Sequence, residues 1–219
     1  MRLIDIGGAL KHRMWAVAGN PFPLVEVADL PSLPQLPYAV YAQSVSTPMQ
    51  ASTYLETAAH MDPNRIKIDE LPLERLFTEA VVLKIPLGAD EHITSALIQT
   101  ALQDAGQTLR PGDSLLIGTG WDAKWDDPDY LLNPPHFTGA AIDWIVEQGV
   151  GLLGCDSPLW DGRRDPQNFF PRFFQSDILL LAPLVNLFAI QRPRVRLVTL
   201  PLKVAGVCAA PCRAVVTED

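Results

Sequence analysis

Cysteine and histidine are scarce in this chain, three and four respectively among 219 residues. Three thiols cannot all pair, and the segment Met1–Ile6 carries Asp5 where a secretory signal would need an apolar stretch. Free thiols in a cytoplasmic protein are therefore expected. Cys155, Cys208 and Cys212 read as small buried hydrophobes rather than zinc ligands, since no second C-x-x-C and no neighbouring His completes a set of four. Long apolar runs are also missing. The longest, Ile178–Leu187, contains Pro183 and Asn186 and is too short to cross a bilayer. Basic residues are outnumbered, 17 Lys and Arg against 25 Asp and Glu, giving a net charge of −8 and a pI near 4.9. Without clustered cations to meet phosphates, neither nucleic acid nor a membrane is expected as a partner.

What is present is an ordinary globular balance, 48% hydrophobic and 19% charged. It suits one domain spanning residues 1–219, with no repeat or low-complexity linker. Pro21, Pro23, Pro31, Pro34 and Pro37 punctuate residues 20–40 and predict an extended arm. Strands are predicted at Leu3–Ile6, Tyr38–Ser46, Glu79–Ile85, Ser114–Gly118, Gly151–Gly154 and Arg196–Leu200, with Leu202–Ala205 and Arg213–Thr217 as closing strands. Helices are predicted at Thr94–Ala105 and Thr138–Gln148, each opened by a capping Thr and stopped by Gly106 or Gly149. Mixed strands and helices give an α/β class.

Residues 50–60 carry the candidate chemistry. Gln50, Tyr54, Glu56 and His60 follow one another at spacings of four, two and four. On an extended segment they share one side, and a strand bending into a helical turn would also converge them. Glu56 and His60 are the better metal ligands; Gln50 is a weak neutral donor, and Tyr54 ligates poorly unless ionised. A polar cluster beneath a loop fits the same residues.

The surrounding segments resemble the cyclase family of metal-dependent hydrolases, which includes bacterial kynurenine formamidase and isatin hydrolase. Ile117-Gly-Thr119-Gly120-Trp121 followed by Trp125 and Tyr130 is similar to the family's T-G-W…W…Y stretch. Pro135–Thr138 followed by Trp144, Gly149–Asp161, Leu200–Gly206 and Pro211–Val215 match further stretches. The family motif H-x-G-T-H-x-D-x-P-x-H falls on Gln50, Ser52, Thr53, Tyr54, Glu56, Ala58 and His60, of which Thr53 and His60 match outright. A metal-ligating Glu of the family corresponds to Ala182, and an acid/base His to the region of Phe170.

The resemblance implies a single α/β domain with a mixed, partly barrel-like β core flanked by helices, of the swivelling β/β/α kind. It implies a metal-dependent hydrolase of a small amide, with a divalent metal (Zn or Mn) on Gln50, Glu56 and His60. Glu56 and Tyr54 are then the candidate catalytic residues, and Trp121, Trp125 and Thr53 the candidate substrate-binding ones. A homo-oligomer, dimer or tetramer, is implied, with Trp15 and Phe22 of the arm covering a neighbouring site. A catalytically inactive small-molecule binder or scaffold on the same frame, and a metal-free hydrolase using Tyr54 or Glu56 as acid or base, are the competing readings. Asp156 and Asp161, which bracket Ser157-Pro158, read as turn residues, and His136, His92 and His12 as surface or loop positions.

Overall fold

Apolar side chains alternate between two separate cores along the central strands, and this alternation builds the molecule. The computed structural model describes residues 1–15, 25–31 and 36–219. Its strands are β1 (Arg2–Asp5), β2 (Glu26–Leu30), β3 (Ala42–Ser46), β4 (Tyr54–Glu56), β5 (Phe77–Lys84) and β6 (His92–Ile93), then β7 (Ser114–Gly118), β8 (His136–Phe137), β9 (Leu152–Cys155), β10 (Leu179–Ala182), β11 (Arg194–Pro201) and β12 (Ala209–Glu218). The helices are α1 (Ser95–Asp104), α2 (Gly139–Glu147) and α3 (Phe169–Phe173). The main sheet runs β1-β12-β11-β5-β7-β9-β10-β4, and β4 pairs back onto β12. Seven strands thereby close a mixed barrel, with β1 added outside the ring on β12.

All seven barrel strands send side chains into one core. Leu55, Ala80, Val82, Leu116, Leu152, Leu181, Leu197, Ala210 and Val216 meet there. Their neighbours Tyr54, Val81, Leu83, Leu115, Ile117, Leu153, Leu180 and Ala182 point the opposite way, onto a second core shared with the helices. That period of two is the strand repeat. Gly154 faces the barrel interior: a Cβ there would come within 2.6 Å of Leu116 and 2.9 Å of Leu184. The helices cover the outer core with Ile98 and Leu102 of α1, Ile142 and Ile145 of α2, and Phe169 and Phe173 of α3. Both capping threonines act as expected: Thr94 accepts from the Leu97 N–H and Thr138 from the Ala141 N–H. Gly106 and Gly149 follow in left-handed backbone.

Two expectations are revised, and one segment left unassigned is now placed. Leu202–Ala205 is not a strand but forms a largely exposed turn between β11 and β12. Tyr38–Ser46 contracts to β3. The run from Ile178 supplies a buried barrel strand, β10, preceded by α3; short apolar runs do not declare helix or strand by periodicity. The Pro-rich arm lies partly outside the described residues, with Pro21, Phe22, Pro23 and Pro34. The rest includes an exposed two-stranded ribbon, β2 against β3. Among the described residues no helix is long and apolar enough to cross a membrane.

Candidate functional site

β4 is pinned on both sides. Glu56 lies opposite Leu180 of β10 and Ala209 of β12, and Tyr54 opposite Ala182 and Pro211. The chain then turns sharply. Thr57 caps the single 3₁₀ turn Ala58–His60, its hydroxyl accepting from the Ala59 N–H and donating to the Ile66 carbonyl. This strand-then-turn step brings His60 Nδ1 to 3.0 Å from Glu56 Oε1. The Thr57 N–H donates to the carbonyl of Cys208, just ahead of β12. Cys208 Sγ consequently sits 4.0 Å from His60 Nδ1.

Cys208 is the functional candidate that sequence reasoning missed. The His that completes its surroundings is 148 residues away in the chain and arrives only through the closure of β12 on β4. Cys155 and Cys212 are buried as expected, whereas Cys208 is partly exposed.

One oxygen, one nitrogen and one sulfur from Glu56, His60 and Cys208 lie within 4.8 Å of one another. Gln50 donates from Nε2 to Glu56 Oε1 at 3.0 Å and so orients the carboxylate. The Glu56 side chain is 1% exposed and that of His60 34%, so the cluster has a buried end and an open end. The imidazole is pushed up to about 10, first by the Cys208 sulfur and then by the Glu56 carboxylate, against the opposing effect of burial. Burial, with the Glu56 charge second, holds the Tyr54 phenol well above its ordinary range. Phe170 and Phe174 of the α3 segment face His60, with ring centroids 5.3 and 6.1 Å away. A cavity of about 410 Å³ opens beside the cluster, lined by Met49, Gln50, Lys67, Val207 and Cys208 among others.

The remaining sequence candidates lie elsewhere in the fold. The Thr53 hydroxyl is buried, accepting from the Gly8 N–H and donating to the Pro183 carbonyl. Trp121 and Trp125 pack with Met14, Val25, Ala51 and Tyr130 in a third core. Trp121 Nε1 donates to the Tyr130 carbonyl, and Trp125 also borders a separate cavity with Trp15 and Pro128. Trp15 packs on Trp125 and Tyr130 of its own chain. Asp156 is fully buried and holds the turn after β7, accepting from the N–H groups of Thr119 and Gly120 and from the Thr119 hydroxyl. Asp161 accepts from the N–H groups of Gln167 and Phe169 at the start of α3.

A profile described as "Putative cyclase" matches residues 4–162, which contain Gln50, Tyr54, Glu56 and His60. The chain belongs to the cyclase family. Solved structures agree in fold. Isatin hydrolase A from Ralstonia solanacearum superposes with a TM-score of 0.84 at 19% identity, over 98% of this chain and 91% of the other. A protein described as a predicted metal-dependent hydrolase from Bacillus stearothermophilus superposes with a TM-score of 0.78 at 17% identity, over 98% and 97% of the two chains. None of the curated proteins matches the sequence. Within this cyclase frame, Ala182 sits beside Tyr54 across the β10–β4 pairing, and Phe170 lies against His60.

The donor set fits a metal. Zinc bonds of roughly 2.0–2.3 Å in tetrahedral array place neighbouring donors roughly 3.3–3.6 Å apart. The separations here, 3.0 Å from Glu56 to His60 and 4.0 Å from His60 to Cys208, bracket that range. The remaining pair, Glu56 and Cys208, also lies within 4.8 Å.

Proposed function

We propose that this protein is a hydrolase of a small amide, using one divalent metal held by Glu56, His60 and Cys208. The observation that carries this reading is the convergence of an oxygen, a nitrogen and a sulfur donor within 4.8 Å, the first two from residues inside the stretch that the cyclase profile matches. When bound, such a metal would polarise the amide carbonyl and lower the pKa of a water molecule.

The chain's own groups do the rest. Gln50 fixes Glu56 Oε1, and Glu56 Oε1 lies 3.0 Å from His60 Nδ1, so the carboxylate and the imidazole are held as neighbours. Phe170 and Phe174 pack against the His60 ring. Tyr54, kept protonated by burial, contributes a neutral phenol on the same side of β4 as Glu56. The cavity of about 410 Å³ suits an aryl formamide or a small cyclic amide. The exposed β2–β3 ribbon supports association with further copies of the chain.

Elemental analysis of the purified protein, combined with formamidase and cyclic-amide assays, tests this. About one equivalent of metal, with turnover lost in Glu56→Ala and His60→Ala, is expected. Metal-free protein with no turnover on added Zn or Mn refutes it.

A second reading has its own support. Ala182 and Phe170 stand where the family has a ligand Glu and an acid/base His, which favours a small-molecule binder without catalysis. It requires ligand binding that is unaffected by chelators, together with no hydrolysis of any amide by metal-loaded protein.

A further inference from the structure

We propose that Cys208 makes this a zinc-selective site, discriminating against the harder dication manganese. The inference rests on the metal-site reading above and deepens it.

Position and chemistry support it together. Cys208 borders the cavity of about 410 Å³, so its sulfur is reachable from solvent while Glu56 approaches from the buried side. The partly exposed thiol stands apart from Cys155 and Cys212, which the interior encloses. Its backbone is not free to drift. The Cys208 carbonyl accepts from the Thr57 N–H at 2.9 Å, and the next residue, Ala209, pairs with Glu56 itself. The Cys208 backbone is thus held by the strand register that places the carboxylate.

Ligand softness then decides the metal. Carboxylate and water suit manganese; thiolate prefers zinc, which takes mixed N, O and S donors in four-coordinate sites. Among the described residues only one carboxylate belongs to the cluster, and the barrel position opposite Tyr54 is Ala182 rather than an acid. The described residues therefore offer a mixed O, N and S set rather than a hard, carboxylate-rich shell. As the sulfur–metal bond forms, the thiol proton leaves to solvent, so the thiolate binds as an anion.

The test uses stripped full-length protein, titrated with zinc, manganese and cobalt. Wild type is expected to retain zinc against a manganese excess of about 100-fold. The cobalt form is expected to show a near-ultraviolet thiolate-to-cobalt charge-transfer band. Cys208→Ser should abolish that band while circular dichroism shows the fold intact, and Cys208→Asp should shift the preference at least about tenfold toward manganese. A cobalt-loaded protein lacking the band, or wild type binding manganese as tightly as zinc, overturns the inference and leaves the metal-site reading standing. Failure of all three metals to bind overturns both.

Discussion

Cys208 differs from the other two thiols in exposure and in neighbours, and this is directly measurable. Burial pushes Cys212 up to about 12 and raises Cys155 well above the ordinary thiol range. A thiol-specific disulfide reagent at neutral pH should therefore modify one cysteine quickly in the folded protein and all three in denaturant, with peptide mapping assigning the first to Cys208. Rapid labelling of Cys155 or Cys212 in the folded state would contradict the described packing. Asp156 allows a stability measurement. Both of its oxygens accept hydrogen bonds, from Thr119 and Gly120, in a fully buried setting. Asp156→Asn would turn an N–H toward one of those donors, at a cost of about 2–3 kcal/mol in urea unfolding. Glu56 and His60 were legible in sequence because four residues of chain hold both. Cys208 was not, because its partner lies across the barrel closure.

At the scale of elements, the site depends on a strand of three residues running into a 3₁₀ turn of three. The turn reverses the chain so that Glu56 and His60, which would sit on opposite ends of an extended segment, meet at 3.0 Å. Spacing alone allowed both a strand and a bent strand here, and only the pairing of β4 with two neighbours selects the second. The barrel wall behind it leaves no spare volume at Gly154. Gly154→Ala places a methyl against Leu116 and Leu184, and overpacking of about 1–3 kcal/mol is expected as a lower urea midpoint with unchanged m-value. Helices α1 and α2 were legible from apolar spacing and capping threonines. Helix α3 was not: it is five residues long, and Asn168 starts it from left-handed backbone with no side-chain cap.

For the whole molecule, the raised groups all act in one direction with pH. A thiol whose folded pKa exceeds the unfolded one keeps its proton in the folded state after the unfolded chain has lost it, so stability falls as pH rises between the two. For Cys212 that window runs from 9.0 to about 12, and by pH 10 its share is about 1 kcal/mol. His60 adds in the same sense: its contribution is complete below 6.5 and lost as pH climbs through about 10. Metal-free protein should accordingly have a lower urea midpoint at pH 10 than at pH 7, and His60→Gln should flatten the part of the loss below pH 9. The β2–β3 ribbon belongs to this scale as well. A two-stranded ribbon is marginal alone, and Val27 and Val45 are cross-strand neighbours exposed on it. Light scattering should give a multiple of 24.0 kDa for wild type and a smaller particle for the double variant Val27→Lys and Val45→Lys.

The amino-acid sequence by itself determined the α/β class, two of the three helices, most barrel strands and the Glu56–His60 pair. Those features depend on residues close together in the chain, where apolar period, caps and glycines act locally. Tertiary structure decided the barrel's closure and, with it, the third donor. Ala209 meets Glu56 across 153 residues because β12 finds both β4 and β11, a pairing set by burial of the barrel core rather than by any local signal. That closure turns Cys208 from one of three unremarkable thiols into the neighbour of His60.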